Sequence, residues 1–209
     1  MRLPVASDVW IVDDELPTLN FLARALQGDG RSVVCCSSAD ELRARLIHDV
    51  PACLVTDLRL GVQNGLDLVY ELWRTVWPVP SILISGHLNI PLAVEAVRSG
   101  LLSVLEKPVS MELLRQEVGT ALQKARDKVD QLCRQQLARD RLARLSDSHR
   151  QVMQHLLLCT PHKCIASRLQ IALRTVEKRR QEIYERLEVG TLRELLDLVQ
   201  LADAGSDAS

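Results

Sequence analysis

The chain has 209 residues, which is enough for one large domain or two small ones. It carries 26 Lys and Arg against 27 Asp and Glu, so the formal net charge of −1 neither requires nor excludes a nucleic-acid partner. Apolar residues make up 47% and charged residues 25%, which excludes extensive disorder. No apolar run approaches the roughly 20 residues that span a bilayer, and the N-terminus lacks the apolar core of a signal peptide. We therefore expect a cytoplasmic protein with no membrane association and six reduced cysteines.

Charge is distributed unevenly along the chain. Residues 1–140 hold 15 basic and 18 acidic residues, whereas residues 141–209 hold 11 basic and 9 acidic residues. An acidic first part followed by a mildly basic second part predicts two modules with different partners.

Short apolar runs alternate with amphipathic stretches over the first 120 residues. The runs predict strands at Val9–Val12, Ser32–Cys36, Ala52–Thr56, Ser81–Ile84 and Leu102–Leu105. The stretches predict helices at Thr18–Gln27, Ala39–His48, Leu66–Trp73, Ile90–Arg98 and from Met111 onward, with Ser110 as its N-cap. This alternation indicates a five-stranded parallel sheet covered on both faces, a flavodoxin-like doubly wound α/β fold.

The helical pattern that begins at Met111 continues to about Leu145 through a charged, glutamine-rich stretch. We interpret it as a long connecting helix, whose apolar stripe either pairs with a second copy or belongs to a solvated spacer. Four further helices are predicted at Ser148–Leu158, His162–Leu169, Thr175–Leu187 and Leu192–Leu201, and the tight turn 170–174 is typical of a helix-turn-helix. The predicted domains are 1–122, a helical linker 123–144 and a small all-α domain 145–209.

Acidic and basic side chains follow successive predicted strands. Asp13 and Asp14 follow the first strand, and Asp57 follows the third; Ser85 and Lys107 follow the fourth and fifth. Because parallel strands end at one edge of a sheet, these groups are expected to form one pocket. Clustered carboxylates are usually neutralised by a hard cation such as Mg²⁺, and the set suits phosphoryl transfer to a carboxylate.

The segments IVDDE, LVTDLRLGVQNGLDL, ILISGH and VLEKP, within residues 6–125, resemble the receiver domain of two-component response regulators. This resemblance implies that Asp57 is the phosphoacceptor, and that Lys107 and Ser85 contact the phosphoryl group. It also implies that Asp14, Asp57 and the backbone oxygen of Arg59 bind Mg²⁺, with Asp13 acting through water. The Lys107–Pro108 bond resembles the family's cis peptide, and Arg59 and His87 resemble its lifetime-tuning positions.

This chain departs from the receiver pattern on the fifth strand. Val104 stands where the family usually carries a Tyr or Phe that turns inward on phosphorylation, Ser103 replaces a usual Asp, and Gly61 replaces a frequent proline. The expected chemistry is intact, but this sequence has no aromatic side chain at that position to relay the signal.

Thr175–Leu187 is amphipathic, with Val176, Arg180 (through its stem), Ile183 and Leu187 predicted on one face. Residues 145–202 resemble the FixJ-like branch of LuxR/NarL-type output domains, in the segments LSDSHRQVMQHLL, HKCIASRLQIALRTVEKRRQEIYERL and EVGTLRELLDLV. The resemblance makes this segment the recognition helix, whose predicted DNA-binding residues are Lys163, Arg174, Thr175, Glu177, Lys178, Arg179, Arg180 and Gln181. Of these, Glu177, Lys178 and Gln181 are expected to face bases.

The output region also departs from its family. His149 and Gln151 replace common glutamates, Cys159 replaces a usual glycine, and Ala172 replaces the usual capping Ser or Thr. That lost cap is expected to cost roughly 1 kcal/mol. A cluster of His155, Cys159, His162 and Cys164 could just hold zinc, but small core cysteines beside solvated histidines are the favoured interpretation.

Together with the strand-end carboxylates, the two resemblances imply a response regulator and transcription factor that is not an enzyme acting on an external substrate. A sensor histidine kinase would phosphorylate Asp57 with Mg²⁺, and phosphorylation would favour a homodimer formed through the fourth and fifth helices and the linker. This dimer would bind a two-fold symmetric promoter site in double-stranded DNA. Two alternatives stay open: a regulator of the same build whose DNA binding ignores phosphorylation, and, less favoured, a Mg²⁺-dependent phosphatase. No sequence feature favours a small-ligand sensor. The sequence does not identify the kinase, the stimulus or the target genes.

Overall fold

The computed structural model describes residues 8–27, 31–75, 77–86 and 90–204. Its contacts divide the chain into two compact units, residues 1–129 and 130–209, with the division inside one long helix. The first unit contains the strands β1 (Asp8–Val12), β2 (Ser32–Cys36), β3 (Cys53–Asp57), β4 (Arg59–Leu60), β5 (Gln63–Asn64), β6 (Ser81–Ser85) and β7 (Ser103–Glu106). Its helices are α1 (Leu16–Gln27), α2 (Ala39–Leu46), α3 (Gly65–Thr75), α4 (Ile90–Arg98) and the start of α5 (Met111–Ala143).

Five strands form one parallel sheet in the order β2-β1-β3-β6-β7, which confirms the predicted doubly wound α/β fold. Every residue of the central strands β3 and β6 is buried, as expected for strands covered by helices on both faces. Each of the five strands lies within a residue of its predicted position. The sequence patterns did not predict the short antiparallel pair β4–β5, which closely follows Asp57.

Helix α5 is continuous over 33 residues and starts where Ser110 was predicted to cap it, since the Ser110 hydroxyl accepts the Leu113 N–H at 3.4 Å. Its residues Leu114, Val118 and Leu122 are buried in the core of the first unit. Further along, Val129 and Leu132 are only half-buried, so the predicted apolar stripe is divided into a core part and a more accessible part.

The second unit contains the end of α5 and four helices: α6 (Asp147–Leu157), α7 (His162–Leu169), α8 (Leu173–Leu187) and α9 (Leu192–Asp203). They enclose a separate core that includes Val152, Ile165, Val176, Ile183 and Leu195. This confirms the predicted all-α domain. The turn between α7 and α8 is shorter than predicted, because Leu173 and Arg174 already belong to α8, and Gln170 makes the reversal in a left-handed conformation (φ 54°).

Among the described helices, none combines the length and the apolar character needed to cross a membrane.

Candidate functional site

The predicted carboxylate site lies at the carboxyl edge of the parallel sheet. Asp13 follows β1, Asp57 ends β3, Ser85 ends β6 and Lys107 follows β7. The backbone holds these ends together, since the Lys107 N–H donates to the Ser85 oxygen at 2.8 Å. The Leu58 N–H donates to the Ile84 oxygen at the same distance. Sheet topology therefore brings residues up to 94 positions apart into one site.

The Asp57 carboxylate is held from two sides. Its Oδ1 accepts the Arg59 N–H at 3.1 Å, and its Oδ2 accepts a hydrogen bond from Lys107 Nζ. The same ammonium lies 3.5 Å from Asp13 Oδ2. Asp13 is almost fully buried, and 11% of the Asp57 side chain is exposed. Solvent and a small reactant can therefore reach Asp57, whereas Asp13 lies beneath the surface.

Burial and neighbouring charges shift the pKa values of Asp13 and Lys107 in opposite directions. Burial raises the pKa of Asp13, although the Glu15 N–H and the Lys107 ammonium partly offset it. For Lys107, burial lowers the pKa, but the hydrogen bond to Asp57 and the charges of Asp13 and Asp57 outweigh it, so the pKa is raised. Lys107 is therefore a fixed positive charge at neutral pH beside the Asp13 and Asp57 carboxyl groups.

Asp14 is exposed, and its Oδ2 accepts the Gly61 N–H at 3.0 Å. Gly61 adopts a left-handed conformation (φ 59°) in the loop between β4 and β5, which a proline could not adopt. A cleft of about 380 Å³ opens here, and its lining includes most of the predicted site: Asp14, Glu15, Asp57, Leu58, Arg59, Gly61, Ser85, Gly86 and Lys107.

The donor set of this cleft fits Mg²⁺. Within the described ranges, no three His, Cys, Asp or Glu side chains converge into a ready-made metal cage. Mg²⁺ does not require one, because it is usually held by one or two carboxylates together with waters and phosphate oxygens. Asp14, Asp57 and the Arg59 carbonyl are hard oxygen donors of that kind.

Sequence reasoning missed Gly65, the first residue of α3. Its N–H donates to the Leu58 oxygen at 2.9 Å, and a Cβ at this position would lie 1.9 Å from the Asp57 carbonyl oxygen. The Thr56 hydroxyl donates to that same oxygen at 3.1 Å. An Asn-Gly dipeptide such as Asn64-Gly65 is typical of a turn and could have indicated this position. Its closeness to Asp57 could not be predicted, because the intervening β4–β5 pair was not predicted.

The peptide bond between Lys107 and Pro108 is cis, which confirms the implication of the resemblance. His87, the other predicted lifetime-tuning residue besides Arg59, lies outside the described residues.

Helices α7 and α8 carry the predicted DNA-binding residues. Arg174, Glu177, Lys178, Arg180 and Gln181 on α8 are exposed, as is Lys163 on α7, while Thr175 and Arg179 are half-buried. The helix is fixed from beneath, because Val176, Ile183 and Leu187 are fully buried. The structure thus presents a mostly exposed polar surface on a helix anchored by its apolar face.

One prediction for this helix was wrong. Arg180 does not contribute its stem to the buried face; it is exposed, and its guanidinium lies 4.7 Å from the centre of the Tyr184 ring. Two predicted base-facing side chains have partners within the helix. Gln181 Nε2 donates to Glu185 at 2.9 Å, and Lys178 Nζ lies 3.8 Å from Glu182.

A contact between α6 and α8 was also missed. His149 is buried, and its Nε2 lies 2.8 Å from Glu182 Oε2. This hydrogen bond lowers the pKa of Glu182, and the nearby positive charge of Lys178 lowers it further by a smaller amount. The departure from the common glutamate at position 149 was visible, but its partner lies 33 residues away and no local pattern identifies it.

The prediction that Cys159 and Cys164 are core residues was wrong. Cys159 and Cys164 are exposed rather than small core residues, because Cys159 lies in the loop after α6 and Cys164 on the outer face of α7. His155 is half-buried, and its Nδ1 has no hydrogen-bond partner in the described part of the chain. No metal-binding group of three or more His, Cys, Asp or Glu occurs there or elsewhere among the described residues.

Comparison with known proteins gives a consistent result. The family described as response regulator receiver domain matches residues 9–119. The chain is 34% identical to transcriptional regulatory protein FixJ of Rhizobium meliloti over 200 residues, which covers 94% of this chain and 95% of that protein. It is 29% identical to response regulator protein TodT of Pseudomonas putida over 195 residues, which covers 93% and 86%.

Solved structures extend this likeness to three dimensions. A low-resolution structure of the response regulator StyR superimposes with a TM-score of 0.80 at 28% identity, covering 92% of this chain and 98% of that one. Full-length FixJ from B. japonicum gives a TM-score of 0.57 at 28% identity and covers 95% and 98%. Both parts of the chain thus have counterparts within single known proteins.

Proposed function

Because the chain belongs to the two-component response regulators, with a receiver domain followed by a FixJ-like output domain, we propose that Asp57 accepts a phosphoryl group and thereby controls dimerisation and DNA binding. The observation that carries this proposal is the position of Asp57, which faces an open cleft while Lys107 holds its carboxylate. The proposed phosphoryl donor is a phosphohistidine of a sensor kinase.

In the proposed transfer, an Asp57 carboxylate oxygen forms a bond to phosphorus as the phosphorus–nitrogen bond of the donor breaks, and the electron pair leaves with the imidazole. Lys107 donates a hydrogen bond to Asp57 in the structure, and after transfer it can pair with the phosphoryl oxygens instead. Ser85, nearly buried at the end of β6, lies beside the same cleft. In these positions Lys107 and Ser85 could stabilise the negative charge that develops on the phosphoryl oxygens during transfer.

Mg²⁺ is the cofactor we propose, with Asp14, Asp57 and the Arg59 carbonyl as its protein ligands and Asp13 acting through a water. When bound, it would neutralise charge on the transferred group. The excess of carboxylates over ammonium groups in the cleft supports this assignment.

Dimerisation is proposed to use α4 and α5. Val94 and Val97 on α4 are 45% and 49% exposed, and Leu113 on α5 is 42% exposed. Large apolar side chains at this exposure on two helices of one unit are candidates for burial against a second copy. A two-fold dimer would present two α8 helices to two half-sites of double-stranded DNA.

The first test is the molar mass of the full chain with Mg²⁺, measured by light scattering with and without beryllofluoride, a phosphoryl mimic. We expect a monomer that becomes a dimer in the wild type but stays a monomer in Asp57→Asn. Asp67→Asn is the matched control, because it removes an exposed carboxylate of the same unit outside the cleft, and it should dimerise normally. Dimerisation of Asp57→Asn by beryllofluoride would refute the phosphoacceptor assignment.

DNA contacts require a second test, starting from duplexes selected out of a random library by the beryllofluoride-treated protein. Arg174→Gln or Arg179→Gln should weaken binding to all selected duplexes and reduce the salt dependence by about one charge each. Lys178→Gln should instead alter which duplexes are selected. If none of these changes affects binding, α8 is not the recognition helix.

One observation favours a second candidate, in which DNA binding ignores phosphorylation. Val104 is half-buried against the receiver core, and its small side chain cannot make the exposed-to-buried movement of an aromatic ring. A wild-type protein that is a dimer with and without beryllofluoride would support this candidate over the first.

A further inference from the structure

A second cleft lies at the opposite edge of the sheet from Asp57. It is formed by residues that precede β6 and β7, including Trp77, Pro78, Pro80 and Leu102, and by Lys124 and Lys128 on α5. Strand β6 separates this edge from Ser85 by five residues, which at a rise of about 3.3 Å each is about 16 Å. The cleft is therefore separate from the proposed phosphorylation site.

The walls of this cleft are apolar, but they contain an unsatisfied donor. Trp77 is 5% exposed, and its Nε1 is buried with no hydrogen-bond partner among the described residues. The neighbouring Trp73 differs, because its Nε1 donates to the Val79 oxygen at 2.8 Å. The Trp77 Nε1 atom is buried, as is that of Trp10, so Trp77 contributes an apolar ring to the wall of the cleft, and its indole N–H can report on a ligand that contacts the ring.

The open side of the cleft is positively charged. Lys124 and Lys128 are four residues apart and so lie on one face of α5. Neither lysine forms a salt bridge with any residue in the described ranges, and the residues that line the cleft include no Asp or Glu. Two ammonium groups beside an apolar wall, with Asp127 on the same helix but outside the cleft lining, favour an amphipathic anion.

We propose that this cleft binds a small aromatic carboxylate. The ring would lie against Trp77, Pro78 and Pro80, and the carboxylate would pair with Lys124 and Lys128. The cleft volume of about 310 Å³ is at the lower end of the range of small-molecule sites, which suits one or two fused rings. Such a ligand would join the amino edge of the sheet to α5.

The test uses 2-naphthoate as the probe and the ¹⁵N-labelled full chain. The protein has three tryptophans, so its spectrum should contain three indole N–H signals, of which Trp77→Phe identifies one. We expect 2-naphthoate to shift the Trp77 signal saturably and to leave the Trp10 signal unchanged, because Trp10 lies in the sheet core on β1. The neutral analogue 2-naphthalenemethanol should bind at least tenfold more weakly.

Paired variants separate the site from a general charge effect. Lys124→Gln/Lys128→Gln should weaken 2-naphthoate binding roughly tenfold or more. Arg24→Gln/Arg126→Gln removes the same charge from exposed positions of the same unit outside the cleft and should bind as the wild type does. The proposal is overturned by an unshifted Trp77 signal at millimolar 2-naphthoate, by equal binding of the neutral analogue, or by equal losses in both double variants.

Discussion

Gly65 lies so close to the phosphoacceptor candidate that it limits what position 65 can hold. A Cβ added there would overlap the Asp57 carbonyl oxygen at 1.9 Å, and that oxygen is backbone and cannot rotate away. Residues adjacent in space to a reactive carboxylate can therefore matter through their size alone.

Gly65→Ala is expected to destabilise the first unit by about 1–3 kcal/mol, because the overlap forces a backbone shift, and to slow phosphorylation of Asp57 by acetyl phosphate. Tryptophan fluorescence during urea unfolding measures the first effect. Gly119→Ala is the control: no atom outside its own helix backbone lies within 4 Å of where its Cβ would be, and the change should stabilise α5 by up to about 1 kcal/mol. Equal stabilities for the two variants would contradict the overlap.

Cys159 ends the turn after α6 in a left-handed conformation (φ 52°), which non-glycine residues adopt at a cost. Cys159→Gly should therefore stabilise the second unit by about 0.5–1 kcal/mol. Amide hydrogen exchange in α6 and α8 of the full chain measures this change. Cys164→Gly, inside α7, should have the opposite sign, because glycine destabilises a helix interior.

At the scale of elements, α8 begins without a side-chain cap. Ala172 has the extended backbone of an N-cap (φ −67°, ψ 146°), but it offers no side-chain oxygen to the first N–H groups of the helix. In contrast, Thr191 caps α9 and accepts the Glu194 N–H at 3.2 Å.

Ala172→Ser should stabilise α8 by about 1 kcal/mol, because its hydroxyl can accept an N–H of the first turn. Amide hydrogen exchange measures this stabilisation, and we expect slower exchange in α8 of the variant. Thr191→Ala should show the reverse in α9 by a similar amount. If Ala172→Ser leaves exchange unchanged, the start of α8 is satisfied by other groups.

His149 links α6 to α8 through Glu182, and His149→Ala should destabilise the second unit by about 1–3 kcal/mol, since a buried hydrogen-bonded group is removed. The pKa of Glu182 is lower in the folded chain than in the unfolded chain. Ionised Glu182 therefore stabilises the folded chain at pH values above its unfolded pKa, and this contribution is lost as the pH falls through its folded pKa. The difference between wild type and variant should therefore shrink in acid.

Urea unfolding followed by circular dichroism between about pH 7 and pH 3 measures this dependence. Lys178→Ala removes the other, exposed partner of Glu182 and should change stability by no more than about 0.5 kcal/mol. A pH-independent difference for His149→Ala would mean that packing alone accounts for its effect.

The elements were predictable to different degrees for physical reasons. Strands such as β3 and β6 are short, mostly apolar runs, and burial on both faces explains that pattern directly. The β4–β5 pair has two residues in each strand, Arg59–Leu60 and Gln63–Asn64, and no periodicity can emerge over two residues. Gly61 lies between the two strands with a positive φ, and its N–H donates to Asp14, which is 47 residues away.

At the scale of the whole molecule, the strand-end residues could be predicted as a group because parallel strands share one edge. Contacts that join distant segments could not be predicted in this way. His149 and Glu182 are one example, and the cleft that combines Trp77 with Lys124 is another. Arg180 is a related case: a helical pattern places it near an apolar face, but its side chain is exposed and its guanidinium lies over the ring of Tyr184.

The cysteines provide a test of the fold in both units. Burial raises the pKa of Cys36 to about 11 and that of Cys53 to about 12, so neither is a thiolate near neutral pH. Cys133, Cys159 and Cys164 are exposed. Iodoacetamide at about pH 8 should therefore label these three in the native chain and reach Cys36 and Cys53 only in denaturant, as read by mass spectrometry of peptides. Early labelling of Cys53 would contradict the buried central strand.

The unbroken course of α5 across the division between Val129 and Asp130 constrains the number of its residues as well as their identity. Each residue advances an α-helix by about 100°, so deleting one after Val129 would turn the later residues of α5, such as Leu132, by about that angle relative to the earlier residues of the same helix. Removing or adding seven leaves a residual turn of only about 20°. Among chains that share this architecture, we therefore expect length differences in this helix to come in whole heptads rather than in single residues.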